Sequence, residues 1–375
     1  MLTHWLQTGV DDKHVKSLCF LNSNRVWGGG EKWHHDIALR FKESGYPMIM
    51  ITNHNSELFR RLSQKEIALY HPHISSLSFL NPVKVLRMAR VLRQHRVQVI
   101  FVNLPSDLKF GGIAAKIAGV PRIIYRRGIA LPVKNRWLNR CLFQRVLTEI
   151  ITNSEETRRL LLEQESTPIS PKKIRVIYNG IDLAAWDRQI VSPVYHKIPG
   201  EVVLGTAGRL SAEKGQVALL ELSHVLKHQG IRCKTLIAGT GPLAAQLQQK
   251  VRNLGIEQDV VFLGFMDQIK NLMESIDIFV LPSLYEGAAN VVLEAMAARK
   301  PAIAFHVSSN PELIQHGRTG FLAPAGNIQK MAMYVNELAQ NPELQTTFGQ
   351  RARMRIEEQF TMERVISELT ALIEK

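Results

Sequence analysis

Strand-like and helix-like segments alternate along this chain, lapse near residue 187, and begin again near residue 200. Alternation of that kind commits a chain to parallel sheets covered by helices, and the restart commits it to two of them. In the first half, residues 15–22 read as a strand. Gly28-Gly29-Gly30 follows, then a helical stretch with Trp33, Ile37 and Phe41 at i, i+4 spacing that Gly45 stops. Residues 47–52, 97–103, 122–125 and 150–152 read as further strands of the same sheet. In the second half, strands are expected at 202–206, 235–238, 260–263, 278–281 and 302–305, with a helix at 216–228 ended by Gly230. Residues 187–200, with Pro193 and Pro199 and little apolar periodicity, read as the linker. Beyond Asn341 the pattern is helical and charged, without a strand. A length of 375 residues agrees with two cores rather than one.

Charge is distributed unevenly. The chain carries 47 Lys and Arg against 33 Asp and Glu, a net of +14. Residues 1–190 hold 29 basic and 15 acidic side chains, and residues 191–375 hold 18 of each, so the excess belongs to the first half. Solubility is the plain account of such an excess; attraction to an anionic acceptor, a membrane surface or nucleic acid is the functional one. No run of 18 apolar residues occurs, so no membrane span is expected. Residues 1–12 lack a basic start followed by an apolar stretch, so no signal peptide is expected. Cys19, Cys141 and Cys233 are far apart and form no Cys-x-x-Cys, which fits a reducing cytoplasm without disulfides or zinc.

Three clusters carry chemistry. Gly28-Gly29-Gly30 sits between a strand and a helix, where backbone amides can approach a phosphate; glycine in such a turn can equally serve packing alone. Gly208-Arg209-Leu210-Ser211-Ala212-Glu213-Lys214-Gly215 follows a strand and opens a helix, so Arg209 and Lys214 can address one diphosphate. The competing reading is a pair of solvated loop cations. Glu286-Gly287-Ala288-Ala289-Asn290 leads into a helix that carries Glu294. The two glutamates lie roughly 10 Å apart if the intervening chain is mostly helical, near the span from the ribose to the hexose of a nucleotide sugar. Either glutamate alone would pass as an exposed helix residue.

Together with Asn179-Gly180-Ile181-Asp182, these motifs resemble the family-4 retaining glycosyltransferases of the group-1 type, in order and spacing along nearly the whole chain. That resemblance implies an α/β GT-B fold: two Rossmann-like domains facing across a cleft, with a C-terminal helix crossing back to the N-terminal domain. An acceptor-binding domain would cover 1–186 plus the helix 360–375, and a nucleotide-sugar-binding domain 200–359. By the same resemblance Arg209 and Lys214 would neutralise the leaving diphosphate, Glu286 would hold donor-sugar hydroxyls, and Glu294 the ribose. Gly29 and Gly30 would offer backbone amides to the diphosphate. Gly208, Gly241, Phe265, Gly287, Ala288, Ala289 and Asn290 would complete the donor site, with Gly241 and Phe265 near the base.

Two positions depart from the family pattern. Gly287-Ala288-Ala289 stands where many relatives carry Gly-Phe-Gly, which leaves the donor sugar open. Arg127 stands where many have a histidine, and arginine cannot move a proton at neutral pH. It would act there as a cation towards phosphate or carboxylate. No Asp-x-Asp occurs, so no metal or other cofactor is expected and the clamp cations would stand in for an ion. His34 and His35 cannot share a helix face, and His71-Pro72-His73 reads as a loop; neither reads as a metal site.

The expected enzyme is a metal-independent, retaining hexosyltransferase using a nucleoside-diphosphate sugar. Its acceptor would be an anionic or lipid-linked surface glycan such as lipopolysaccharide core or O-antigen. It would lie in the cytoplasm, peripheral on the cytoplasmic face of the inner membrane, with no nucleic-acid partner. The basic surface has two candidate sources: Lys84, Arg87, Arg90, Arg93 and Arg96, and Lys134, Arg136, Arg140 and Arg145 interleaved with Trp137, Leu138, Leu142 and Phe143. At least half of those interleaved apolar side chains are expected in the core. The alternatives are a GT-B epimerase or phosphorylase, and a sugar-binding protein without catalysis.

Overall fold

The computed structural model describes residues 15–128, 133, 136–163 and 169–375. The signal-peptide reading of residues 1–12 and the basic Lys134 lie outside the described residues.

The alternating pattern resolves into two sheets. The first holds β1 (Leu18–Asn22), β2 (Met48–Thr52), β3 (Ala68–Tyr70), β4 (Val99–Val102), β5 (Arg122–Arg127), β6 (Glu149–Thr152) and β7 (Ile174–Val176) in the order β3-β2-β1-β4-β5-β6-β7. The second holds β8 (Val202–Ala207), β9 (Cys233–Ala238), β10 (Val260–Gly264), β11 (Ile278–Leu281), β12 (Ala302–Phe305) and β13 (Gly320–Ala323) in the order β10-β9-β8-β11-β12-β13. Strands pair in parallel, with β1 between β2 and β4, and β8 between β9 and β11. Strand order therefore reverses beside β1 and beside β8, the places where such sheets open a crevice for ligands at their carboxyl ends.

Strands covered by helices on both faces need continuous apolar runs rather than alternation. Leu-Cys-Phe-Leu-Asn of β1 and Val-Val-Leu-Gly-Thr-Ala of β8 are buried throughout. Helix Gly29–Glu43 lays Trp33, Ile37 and Phe41 inward, and beside them the polar Glu31 and His34. Helix Gln216–His228 has the expected bounds. Reading the sequence missed β3, β7 and β13. Both β3 and β7 are three-residue edge strands with partly exposed side chains, too short to establish a period. The four-residue β13 is fully buried but equally short.

The chain divides into two compact units. One contains the described residues up to Arg126, those of Asn135–Ile150, and Thr370–Lys375; the other contains those of Arg127–Lys134 and Ile151–Leu369. The last helix, Met362–Ile373, thus ends in the first unit. There the Arg122 guanidinium donates to the carbonyls of Leu372 and Ile373, Lys16 Nζ donates to the Ile373 carbonyl at 2.7 Å, and the Tyr46 hydroxyl donates to Glu374 at 3.1 Å. The expected linker is not loose. Its Ser192 and Val194 amides donate to Asn271 Oδ1 and Ser275 Oγ, each at 2.9 Å. Just before it, buried Lys270 ties down the Trp186 carbonyl at 2.8 Å.

No described helix is long and apolar enough to cross a membrane. In the second of the two basic stretches, Leu142 and Phe143 are buried as core, whereas Trp137 is exposed.

Candidate functional site

In the second unit the carboxyl ends of β8, β9 and β11 bring together three loops that lie far apart in sequence. After β8, Gly208 and exposed Arg209 lead to buried Leu210, and a single 3-10 turn, Ala212–Lys214, carries the chain to Gly215. Gly215 sits in the left-handed region (φ 66°) and starts the helix Gln216–His228. A Cβ there would lie 1.9 Å from the Pro282 carbonyl oxygen, so only glycine lets the basic loop lie directly on the loop that follows β11. The third loop joins at Gly241, where a Cβ would lie 2.3 Å from the Leu210 carbonyl, and Leu210 N donates to Thr240 O at 3.0 Å.

This packing puts Lys214 against Glu286. The ammonium donates to Glu286 Oε1 at 2.6 Å, and Ser283 Oγ donates to the same oxygen at 2.7 Å. Glu286 is nearly enclosed, with a side-chain exposure of 7%, while Lys214 keeps 27%. Such a charge-assisted bond at low exposure is stronger than a surface pair and fixes the carboxylate's direction. Within the basic loop, Ser211 Oγ donates to Glu213 at 2.5 Å, and that hydrogen bond holds the Glu213 carboxyl below its ordinary range. Gln216 Nε2 donates to the Arg209 carbonyl at 2.9 Å, which orients the backbone under the exposed guanidinium.

Glu286 and the helix that follows form the other wall. Helix Asn290–Ala297 carries Glu294, which is buried rather than solvated. Asn290 accepts from Asn179 Nδ2 at 2.6 Å, so the Asn179-Gly180 segment is joined to this helix. A Cβ on Gly287 would come within 2.0 Å of the Gly128 carbonyl, so backbone lies on backbone there. Arg127, buried at the end of β5, is the residue just before Gly128. Ala289 is buried, Ala288 is half-buried, and Phe265, beyond Gly264 at the end of β10, is exposed. Arg209, Lys214, Gly208, Gly241, Glu286, Gly287, Asn290 and Glu294 all belong to this second unit, whereas Gly29 and Gly30 belong to the first. Among the described residues, no group of three His, Cys, Asp or Glu is placed to hold a metal ion.

The first unit has a buried polar cluster at the carboxyl ends of β1, β4 and β5, of which sequence reasoning singled out Arg126 but missed Glu31 and Asp107. Glu31, directly after the three glycines, accepts from Asn22 Nδ2 at 3.1 Å and is almost fully buried. Arg126 lies over the Trp33 ring at 4.6 Å and donates to Asn103 Oδ1 at 3.4 Å. Burial lowers its pKa to about 10, against the opposing charge of Glu31, which leaves it a cation at neutral pH. The His34 Nδ1–H donates to the Gly30 carbonyl at 3.0 Å, and Nε2 has no hydrogen-bond partner among the described residues. Asp107 accepts from Leu104 N at 2.9 Å and Ser23 N at 3.3 Å. The only sequence signal was position: Glu31 and His34 fall on the face that also carries Trp33 and Ile37.

Two buried titratable groups of this cluster, His34 and Asp107, oppose each other in pH. Burial first, and then Arg126, hold His34 down to about 3, so the unfolded chain takes up a proton below pH 6.5 that the folded chain refuses. This contribution to stability is lost as pH falls from 6.5 towards 3. Burial pushes Asp107 up to about 7 from an ordinary 3.8, so its contribution is complete below 3.8 and is lost as pH rises to 7. Between pH 6.5 and 5 each amounts to about 2 kcal/mol, with opposite signs. Asp107→Asn is therefore expected to lose about 2 kcal/mol more than the wild type on acidification over that interval, and His34→Gln to gain about 2 relative to it. Denaturant titrations at the two pH values read this, and equal pH dependence in all three proteins would refute it.

Comparison with known proteins divides the chain near residue 186. Residues 27–185 match the description Glycosyltransferase Family 4, and residues 187–355 match Glycosyl transferases group 1. A putative glycosyltransferase of Bacillus subtilis, EpsF, is 28% identical over 246 residues, 62% of this chain; the chain spans 64% of that relative's length. An Escherichia coli enzyme named UDP-Gal:alpha-D-GlcNAc-diphosphoundecaprenol alpha-1,3-galactosyltransferase is 26% identical over 81% of this chain and 79% of its own length. The crystal structure of Anabaena HepE in complex with UDP-glucose superposes with a TM-score of 0.81 at 22% identity, covering 96% of this chain and 99% of that one. The architecture is the GT-B fold of two Rossmann-like halves.

Proposed function

The chain belongs to the family-4, group-1 glycosyltransferases, and from that premise we propose that it moves a sugar from a nucleoside-diphosphate donor to a lipid-linked or otherwise anionic glycan. The observation that carries this reading is the Lys214–Glu286 contact beside Arg209, at the carboxyl ends of β8 and β11. In transfer, the acceptor oxygen bonds to the anomeric carbon as that carbon's bond to the diphosphate breaks, and the acceptor hydroxyl's proton passes to the departing diphosphate. Negative charge grows on the diphosphate, and Arg209 and Lys214 are two cations of one loop, the second held by Glu286, that can receive it. Glu286, held by Lys214 and Ser283, offers its second carboxylate oxygen to donor-sugar hydroxyls, and buried Glu294 offers a carboxylate to the ribose.

The reading extends to retention of configuration, independence from metal, and action at the cytoplasmic face of a membrane on a surface glycan such as lipopolysaccharide core or O-antigen. The Escherichia coli relative's name supports a lipid-diphosphate acceptor, and the HepE complex supports a UDP-type donor. A guanidinium does not serve as a proton-transferring base, so the role of Arg127 is to hold an anion and not to move a proton.

Nucleoside diphosphates screened by thermal shift, followed by hydrolysis assays with the matching sugars, test the proposal. One diphosphate is expected to stabilise the wild type, and Glu294→Ala to weaken that binding by roughly tenfold, as for a lost hydrogen bond to a charged group. Turnover is expected to survive a chelator. Unchanged nucleotide binding by Glu294→Ala would remove the ribose role, and loss of turnover with chelator would remove metal independence.

A further inference from the structure

The proposed donor site leaves unused the most basic stretch of the molecule. Residues 51–150 contain 17 Lys and Arg against 4 Asp and Glu, and no acidic residue occurs between Glu66 and Asp107. Two features of the first unit lie within or beside this stretch.

The first is a cavity of about 300 Å³ lined by Arg25, Asn53, His54, Asn55, His71 and His73. It lies where the loops after β1, β2 and β3 meet, at the carboxyl edge of the sheet, and none of its lining side chains is acidic. Asn53 builds it. Its buried amide donates to the carbonyls of Ser23 and Ile74, and its oxygen accepts from Ile74 N at 2.8 Å, which pins the His71–His73 segment to the β1 loop. The rings of His54 and His71 lie 4.9 Å apart, each 5.0 Å from Phe59, and Arg25 approaches His73 Nε2 at 3.4 Å. Guanidinium, imidazole and amide N–H groups around one open cavity suit the oxygens of a phosphate.

The second is the chain that leaves this cavity. Lys84 Nζ donates to the His73 carbonyl at 3.3 Å, joining the cavity wall to the helix Pro82–Gln94. That helix buries Val85, Met88, Ala89 and Leu92. On and just before it, Leu77, Leu80, Val83 and Leu86 are 65%, 65%, 55% and 57% exposed, at three-residue spacing, with Arg87 and Arg90 also exposed. Scattered exposed aliphatics need no explanation, but four in ten residues beside cations and without an acid form a surface suited to a charged lipid interface.

We propose that this face docks on an anionic bilayer, with Leu77, Leu80, Val83 and Leu86 entering the headgroup–acyl boundary and the Arg25–His54–His71–His73 cavity taking a lipid phosphate. The occupant follows from the pairing of the two features. A soluble phosphate ester would need the cavity but not the aliphatic strip, and an apolar protein partner would need the strip but not the cations. The inference deepens the proposed action at a membrane by naming the surface, and of the two basic stretches in the sequence it uses the one from Lys84 to Arg96 rather than the Trp137 stretch.

The test is cosedimentation of the full chain with vesicles of phosphatidylcholine alone, or mixed with phosphatidylglycerol, at low and high salt. Wild type is expected to bind the mixed vesicles at least tenfold more than the neutral ones, with the excess lost at high salt. Leu80→Ser/Val83→Ser/Leu86→Ser alters exposed positions only, which an unchanged Tm confirms, and is expected to reduce binding to the mixed vesicles by at least tenfold. Arg25→Ser/His73→Ser is expected to lose about fivefold or more of the preference for anionic vesicles. Equal binding to both vesicles, or wild-type binding by the triple variant, overturns the proposal. So does saturation of the cavity by glycerol phosphate in a thermal shift without vesicle binding, which would assign it to a soluble ester. Donor hydrolysis by the wild type without lipid is read separately; its absence would remove the transferase reading and leave the vesicle result standing.

Discussion

Lys214→Ala is expected to lower kcat/KM for sugar transfer by at least ~100-fold, about 2.7 kcal/mol of transition-state stabilisation. Two losses combine in that figure. A cation disappears from the turn that faces the leaving diphosphate, and Glu286, with a side-chain exposure of 7%, loses its charged partner at 2.6 Å. Enclosed carboxylates left without a partner are costly, so Glu286 should also turn from its working direction, although Ser283 still holds one oxygen. Glu286→Ala should lower kcat more than it raises KM, because it orients the reacting sugar. The double variant should be little worse than either single one, since the two side chains act as a unit. Arg209→Ala, at an exposed position, should cost less. Steady-state kinetics on all four variants decide this, and turnover within a few-fold of wild type by both Lys214→Ala and Glu286→Ala would sink the assignment.

The second large effect is structural. Gly215→Ala sets a methyl 1.9 Å from the Pro282 carbonyl at a backbone φ of 66°, so two backbone segments must separate. One carries Arg209 and Lys214, and the other Ser283 and Glu286. We expect roughly 2–4 kcal/mol of destabilisation and loss of most activity, from steric overlap on top of left-handed strain. Gly230→Ala is the control: its φ is 75°, but nothing lies within 4 Å of the added Cβ. It should cost about 1 kcal/mol and leave turnover near normal. Matching Tm values and activities for the two variants would refute the packing account.

Local chemistry made some of this legible in the sequence, and distant convergence hid the rest. Long apolar runs such as those of β1 and β8 need no context, because nothing but burial on both faces accounts for them. The turn from Gly208 to Gly215 was readable because glycine, cations and a helix start crowd into eight residues. The Lys214–Glu286 contact was not, because 72 residues separate its partners and both appeared as independent donor ligands. Glu31 and Asp107 were hidden for a related reason. A lone carboxylate on a helix reads as solvated, and only the meeting of β1, β4 and β5 encloses it. Leu77 and Leu80 pose the opposite difficulty, since hydrophobic letters give no sign of failing to reach a core.

The fastening of residues 370–374 to Lys16, Tyr46 and Arg122 has a consequence for how the molecule is made. Lys16 and Ile373 are separated by 357 positions, so the first unit spans nearly the full contour of the chain. While the polypeptide is being synthesised, β1 to β5 can collapse early, but the Arg122 guanidinium must wait for carbonyls translated some 250 residues later. The half that begins first therefore finishes last, after the second sheet has emerged. In that interval the surface reserved for the closing helix stays uncovered, the circumstance in which a nascent chain calls on a chaperone.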